Sequence, residues 1–269
     1  MKIVIIGGGA SGMMAALAAA ERGAEVTLCE RGARLGRKLA VTGNGRCNLT
    51  NRSLSPDNYH GEHAEFARPA LDAFGAEAAI EYFRTLGLVT VTEPGGRVYP
   101  HSDQAGSVVD VLRFAVENAN VEIKTAFEVK KVSKVGDEFE ISSENEKIMG
   151  DRVIVTCGGI AGTKAGGTGM GYDILRSLGH RCTKLYPSLV QLKTENSFTH
   201  PLKGVRADAE VEIIADGAVA AHSAGEVQFT DYGVSGPAIF DVSRTAVTAP
   251  NSVVRLDLMR GLTREELVY

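Results

Sequence analysis

Excess positive charge, closely spaced cysteines and long apolar runs are all missing from this 269-residue chain. Lysine and arginine number 29 against 33 aspartates and glutamates, a net charge of −4. A general nucleic-acid binder or a polybasic membrane protein carries the opposite sign. The four cysteines, at 29, 47, 157 and 182, include no C-x-x-C pair. Their spread argues against a zinc site or disulfide framework and for reduced thiols in a cytoplasmic protein. No stretch approaches the roughly 18 apolar residues of a membrane span. The opening MKIVIIGGGASGMMAALAAA has the lysine and small-residue end of a secretory leader, but glycines 7–9 interrupt the apolar run after Ile3–Ile6, and no signal peptide is expected. G-x-S-x-G is absent, so Ser235 in YGVSGPA reads as structural. GGTGMG, residues 166–171, lacks the G-K-[ST] ending of a P-loop and reads as the approach to a helix ending at Gly179.

What remains is 44% hydrophobic and 23% charged, the profile of a globular protein of one large or two ordinary domains. The first thirty residues have the most definite shape. Ile3–Ile6 is a continuous β-branched run, expected of a strand buried on both faces of a parallel sheet. Gly7, Gly9 and Gly12 follow as G-x-G-x-x-G, then Met13, Ala16, Leu17 and Ala20 at helical period, Gly23 as a stop, and a second strand at Val26–Cys29 closed by Glu30. Each part has a job in holding a dinucleotide. Gly7 allows the tight turn, Gly9 lets a pyrophosphate approach the backbone, and Gly12 lets the helix pack on the strand. The N–H groups at the helix start, Ala10, Ser11 and Gly12, carry partial positive charge toward phosphate. Glu30, eighteen residues beyond Gly12, can accept from a ribose hydroxyl, which favours FAD or NAD over NADP. The fingerprint alone leaves FAD and NAD open.

The next segment separates them in part. A nicotinamide dehydrogenase continues into further βαβ units. Here the chain runs on as RGARLGRKLAVTGNGRCNLTN, an extended stretch rich in glycine and cations. Arg31, Arg34, Arg37, Lys38 and Arg46 could make a local basic groove despite the net acidity. Cations for phosphate and open backbone for a flavin edge suit a longer cofactor.

The segments VIIGGGASGMMAA, GRKLAVTGNGRCNLTN, VIVTCGGIAGTKAGGTGMGYDILRSLGH and GEVQFTDYGVSGPAIFDVSR, in this order, resemble the aminoacetone-oxidase-like family of FAD-binding, NAD(P)/FAD-dependent oxidoreductases, which includes a bile-acid-transforming flavoprotein. The resemblance covers nearly the whole chain. It implies an α/β fold, a Rossmann-like FAD domain of the glutathione-reductase-like group at residues 1–189, and an inserted β-rich substrate or cap domain at 190–269. It also implies that Arg37 and Lys38 face the phosphates or ribityl chain, and that Thr42, Gly43, Asn44, Gly45, Arg46, Cys47 and Asn48 line the isoalloxazine. Arg46 would lie at its pyrimidine end, where a cation stabilises the reduced anion. The backbone of Val129 would meet adenine, and Thr156, Cys157, Gly158 and Gly159 would pass close to the cofactor. Cys47 stands without a nearby partner and reads as a packing residue rather than a nucleophile. Arg97, Tyr99 and His101 are weaker substrate-side candidates. Family members continue past residue 269, so the chain resembles a shortened form.

Elsewhere the sequence predicts two helices breaking near Gly75, with Phe66, Leu71, Phe74, Ile80 and Phe83 in the core. A hairpin turning at Pro94–Gly96 follows, then an amphipathic helix capped by Ser102 or Asp103. A β-meander returns into Val153–Thr156, and short alternating strands begin near residue 190. The expected activity is FAD-dependent oxidoreduction, passing hydride between a small organic substrate or NAD(P)H and an acceptor, with no metal and no membrane partner. The alternatives are a tRNA-modifying or RNA-binding flavoprotein on a related fold, or a shortened chain that holds FAD without turnover.

Overall fold

Ile3–Ile6 is apolar throughout because two cores meet on it. In the computed structural model, which describes residues 1–263 and 265–268, Ile3 and Ile5 belong to one cluster with Met13, Leu17, Val26 and Leu28. Val4 and Ile6 belong to another with Cys29, Val129, Val132 and Ile141. Successive side chains of a strand point to opposite faces, so a strand covered on both sides has no solvent side to make polar.

The chain divides into two compact units, Met1–Cys182 and Thr183–Tyr269. The first begins β1 (Lys2–Ile6), α1 (Ala10–Ala20), β2 (Glu25–Cys29) and continues through β3 (Thr50–Asn51), α2 (Arg68–Ala73) and α3 (Ala76–Thr85). It goes on with β4 (Thr90–Thr92), β5 (Arg97–Pro100), α4 (Ala105–Asn118), β6 (Glu122–Lys124), the meander β7 (Lys131–Val135), β8 (Glu138–Ser142), β9 (Lys147–Gly150), then β10 (Arg152–Val155) and α5 (Met170–Ser177). Four strands form a parallel sheet in the order β10-β1-β2-β6. Buried residues of α1 and α4, among them Met13, Leu17, Val108 and Leu112, share the first cluster, and meander residues Val132, Ile141 and Ile148 share the second. Small β3-β5-β4 and β7-β8-β9 sheets complete the unit.

The second unit contains β11 (Leu192–Lys193), α6 (Asn196–Thr199), β12 (Arg206–Ala215), β13 (Ala218–Thr230), β14 (Gly233–Ser235), α7 (Pro237–Thr248) and β15 (Val253–Asp257). Its five strands are ordered β11-β14-β13-β12-β15, and every pair is antiparallel. In β12, Ala209, Val211 and Ile213 are buried while Asp208, Glu210 and Glu212 alternate with them. Ile239 and Val242 of α7 join that apolar face.

Three details differ from the sequence expectation. Phe66 and Phe74 are 89% and 44% exposed, and only Phe83 of the aromatic set is buried. The two helices are short, and helical period alone does not say how much surface is available to cover. Gln104, not Ser102 or Asp103, occupies the N-cap position of α4. Asp103 sits in the left-handed region (φ 56°) and pairs with Arg46, while Ser102 contacts Ser107 through their hydroxyls at 2.7 Å. The strands after residue 190 include a hairpin of 10 and 13 residues, longer than the alternation suggested, followed by a helix starting at Pro237.

Candidate dinucleotide site

A cavity of about 620 Å³ opens at the carboxyl ends of β1, β2 and β10, where ligands of open parallel sheets bind. Its floor is the Gly7–Gly9 turn. Gly7 has φ 112°, and a Cβ there would lie 2.6 Å from the Thr156 carbonyl oxygen. Gly12 lies beneath, and its Cβ would be 1.8 Å from the Gly7 oxygen. Both glycines are therefore required by the fold itself. Gly9 is different: its φ is −80°, and a Cβ would meet nothing within 4 Å. The protein leaves that space open.

Hydrogen bonds fix the turn from both sides. The Gly7 N–H donates to Cys29 O at 2.8 Å and the Thr156 N–H to Ile6 O at 2.8 Å. The Thr156 hydroxyl lies 2.9 Å from Ile6 O and 2.8 Å from Gly7 O. Helix α1 starts after Gly9 with no side-chain cap and no acid in its first turn, so its unneutralised positive end faces the cavity. Beside it, Glu30 accepts from the Gly8 N–H at 2.8 Å and the Gly32 N–H at 2.7 Å, one on each oxygen. An ionised carboxylate has about four acceptor positions, so further donors can still be met.

Of the residues nominated from sequence, Gly7, Gly9, Ala10, Ser11, Glu30, Arg31, Arg37, Lys38, Thr42, Val129, Cys157 and Gly158 line this one cavity. Arg31 reaches across to Gly166 O (2.6 Å) and Lys38 to Ala161 O (2.6 Å). Phe127 and the 165–170 segment also contribute, through Ala165, Gly166, Thr168 and Met170. Nothing in the composition of the glycine-rich 166–171 stretch assigns it to this cavity; its place on the wall comes from the fold.

Gly43, Asn44, Gly45, Arg46, Cys47 and Asn48 do not line the cavity. Instead of running extended, Leu39–Gly45 winds into short 3-10 turns, and Gly43, Asn44, Gly45 and Cys47 all have positive φ. Two side chains compensate for that strain. Cys47 is 2% exposed within the first core cluster. Arg46 binds Glu93 at 2.5 Å, pairs with Asp103 and lies 4.1 Å over the Tyr99 ring. These two carboxylates hold the guanidinium firmly charged. Arg97 and His101 are exposed and Tyr99 is buried; none of the three lines the cavity.

Residues 1–246 match the family model described as the HI0933-like protein Rossmann domain. The chain belongs to the HI0933-like family. Its fold is thus Rossmann-like, with antiparallel sheets added to the parallel core. This HI0933-like chain is 42% identical over 245 residues to the 3-dehydro-bile acid delta(4,6)-reductase of Clostridium scindens, covering 90% of this chain and 60% of that protein. It is 27% identical over 264 residues to the ribosomal RNA dihydrouridine synthase of Escherichia coli, covering 97% and 64%. It is 25% identical to the protein of the same name from Haemophilus influenzae, covering 98% and 65%. The chain therefore spans a little under two thirds of the length of these relatives. No helix among the described residues is long and apolar enough to cross a membrane.

Burial sets the chemistry of the thiols at this site. It pushes Cys29 up to about 12 and Cys157 up to about 11, and raises Cys47, an effect partly offset by a hydrogen bond with Thr42. With Cys157 at about 11, about one molecule in a thousand carries that thiolate at pH 8. Native-state alkylation of Cys29 and Cys157 by iodoacetamide at pH 8, followed by mass spectrometry, is expected to run at least about a hundredfold slower than that of free cysteine. Because the folded-state values are raised, their contribution to stability is complete below about pH 9 and is lost as pH climbs toward 11. Melting temperature is thus expected to fall between pH 9 and pH 11, and a flat profile there would contradict buried thiols.

Proposed function

We propose that this chain holds the cofactor of an FAD-dependent reductase that draws electrons from NAD(P)H. Its substrate is a small molecule carrying a carbon–carbon double bond conjugated to a carbonyl. The observation that supports the cofactor is the open space at Gly9 beneath the uncapped amino end of α1, with Glu30 alongside. No packing requirement calls for a glycine there, whereas a pyrophosphate against the backbone does.

The residues present fit FAD. The first-turn N–H groups of α1 hold the pyrophosphate, aided by Arg31, Arg37 and Lys38. Glu30 accepts from a ribose hydroxyl with the acceptor positions left by Gly8 and Gly32. Phe127 and the backbone of Val129 receive adenine. Of residues 42–48, Thr42 lines the cavity and would meet the ring system, while Arg46 is held outside it by Glu93 and Asp103. Bound FAD supplies two-electron chemistry by accepting and donating hydride at N5. The chain's own part is to bind, orient and charge-balance, and the protonated thiols of Cys29, Cys47 and Cys157 serve as packing.

The relatives' names support this substrate class. A delta(4,6)-reductase and a dihydrouridine synthase both saturate carbon–carbon double bonds, so hydride and proton addition is the shared chemistry. Within the family, the four segments quoted above support the aminoacetone-oxidase-like branch, and the β-rich second unit would serve substrate selection. Ribosomal RNA is the second reading, because two relatives are named for it. A net charge of −4 and lower identity favour the small molecule.

The purified chain is expected to be yellow, or to turn yellow with added FAD, at about one flavin per chain. Anaerobic NADH and NADPH would then bleach it, and a conjugated enone would restore the colour. A protein that refuses FAD defeats the proposal, and recovery with ribosomal RNA but no enone would establish the second reading.

A further inference from the structure

We propose that a groove on the outer side of residues 32–40 is a second ligand site, selective for a small organic anion with an apolar body. This groove, about 830 Å³, lies between that segment and helix α4, with Ile123 of β6 also on its wall. It does not depend on the identity of the cofactor.

The wall is held in place from within. Gly36 has φ 73°, and its missing Cβ would come 2.8 Å from Val109 of α4, so only glycine seats the segment this closely. The Gly36 N–H donates to Gly8 O at 2.8 Å, tying the groove wall to the glycine turn of the dinucleotide cavity. Gly32 and Arg37 line both spaces.

Charge decides what the groove accepts. Its two acids share one arginine: Asp110 and Glu117 lie 3.5 Å and 2.9 Å from Arg113. Arg34 and Arg37 are exposed and make no side-chain hydrogen bond or ion pair among the described residues. The groove therefore presents three arginines and two acids, a net positive patch on a chain of net charge −4. Leu35, Val109 and Ile123 supply aliphatic surface between these charges. Arg34, which lines this groove and not the dinucleotide cavity, sets an unpaired guanidinium beside the apolar wall, with Arg37 shared between the two spaces. That pairing matches a carboxylate or similar head on a hydrocarbon body and disfavours neutral and cationic amphiphiles.

Dodecanoate is a suitable probe, titrated calorimetrically into the whole chain, with dodecyltrimethylammonium as the cation of equal body. Arg34 lines only the outer groove and is exposed, so Arg34→Glu and Arg34→Gln are expected to melt like the parent and to bind FAD unchanged. Dodecanoate should bind saturably at one equivalent. Arg34→Glu should weaken it by about tenfold or more, the cost of a lost charged hydrogen bond, with Arg34→Gln intermediate, and the ammonium analogue should not bind over the same range. Absent or unsaturable binding, equal affinity in Arg34→Glu, or equal binding of the cation would each overturn the proposal.

Discussion

Gly12→Ala is expected to unfold the first unit at markedly lower temperature, while Gly9→Ala melts like the parent yet binds FAD poorly. The two positions are three residues apart in one motif, and the structure separates their roles. At Gly12 the added methyl would sit 1.8 Å from a backbone oxygen and 2.9 Å from the Thr156 hydroxyl. The backbone oxygen belongs to the turn itself, so relief requires moving α1 off β1. Overpacking a tight core costs about 1–3 kcal/mol and occasionally more, and a clash against main chain belongs at the upper end. At about 3 kcal/mol the melting temperature would fall by about 6–12 °C. At Gly9 an alanine meets nothing and its φ of −80° suits any residue. The methyl projects into space the fold does not use, so melting should stay within about 2 °C of the parent. FAD affinity should drop at least about tenfold, because a pyrophosphate held by the helix start needs that approach. Differential scanning fluorimetry and flavin titration read the two effects separately. Full FAD affinity in Gly9→Ala would place the pyrophosphate elsewhere.

Glu30→Ala is the second large effect. Losing hydrogen bonds to a charged group costs about 1.5–3 kcal/mol, which corresponds to FAD binding about 10- to 150-fold weaker. The geometry adds a structural component, because the carboxylate also receives the Gly8 and Gly32 N–H groups. Its loss leaves both donors without their partner at the cavity edge. Glu30→Gln keeps one acceptor oxygen and so should hold only one of those N–H groups. Flavin titration of both variants, beside their melting curves, divides the effect between cofactor contact and turn geometry. An unchanged dissociation constant in Glu30→Ala would remove this residue from the ribose.

Much of the first half was legible in the sequence because its constraints are local. A continuous β-branched run, glycines at fixed spacing and a terminal acid each act within a few residues, and β1, α1, β2 and the floor of the cavity follow from them. The loop at 42–48 was less legible. TGNGRCN declares turns, but its shape depends on partners far along the chain: Glu93, Asp103 and the Tyr99 ring around Arg46, and a core that accepts Cys47. The 165–170 wall of the cavity depends in the same way on Arg31 and Lys38 reaching across to its carbonyls. The exposure of Phe66 and Phe74 was illegible for a related reason, since an apolar residue at helical period records a preference for burial and not the presence of a cover.

The strand that carries Gly7 at its end is clamped between two hydrophobic cores and hydrogen-bonded to a neighbour along each edge. Breathing motions that expose surface helices such as α2 need not disturb such a strand, since releasing it means dissolving both cores together. The grip on a nucleotide would then persist in partly opened states, and cofactor loss would be tied to cooperative unfolding of the unit rather than to fluctuation of any one loop.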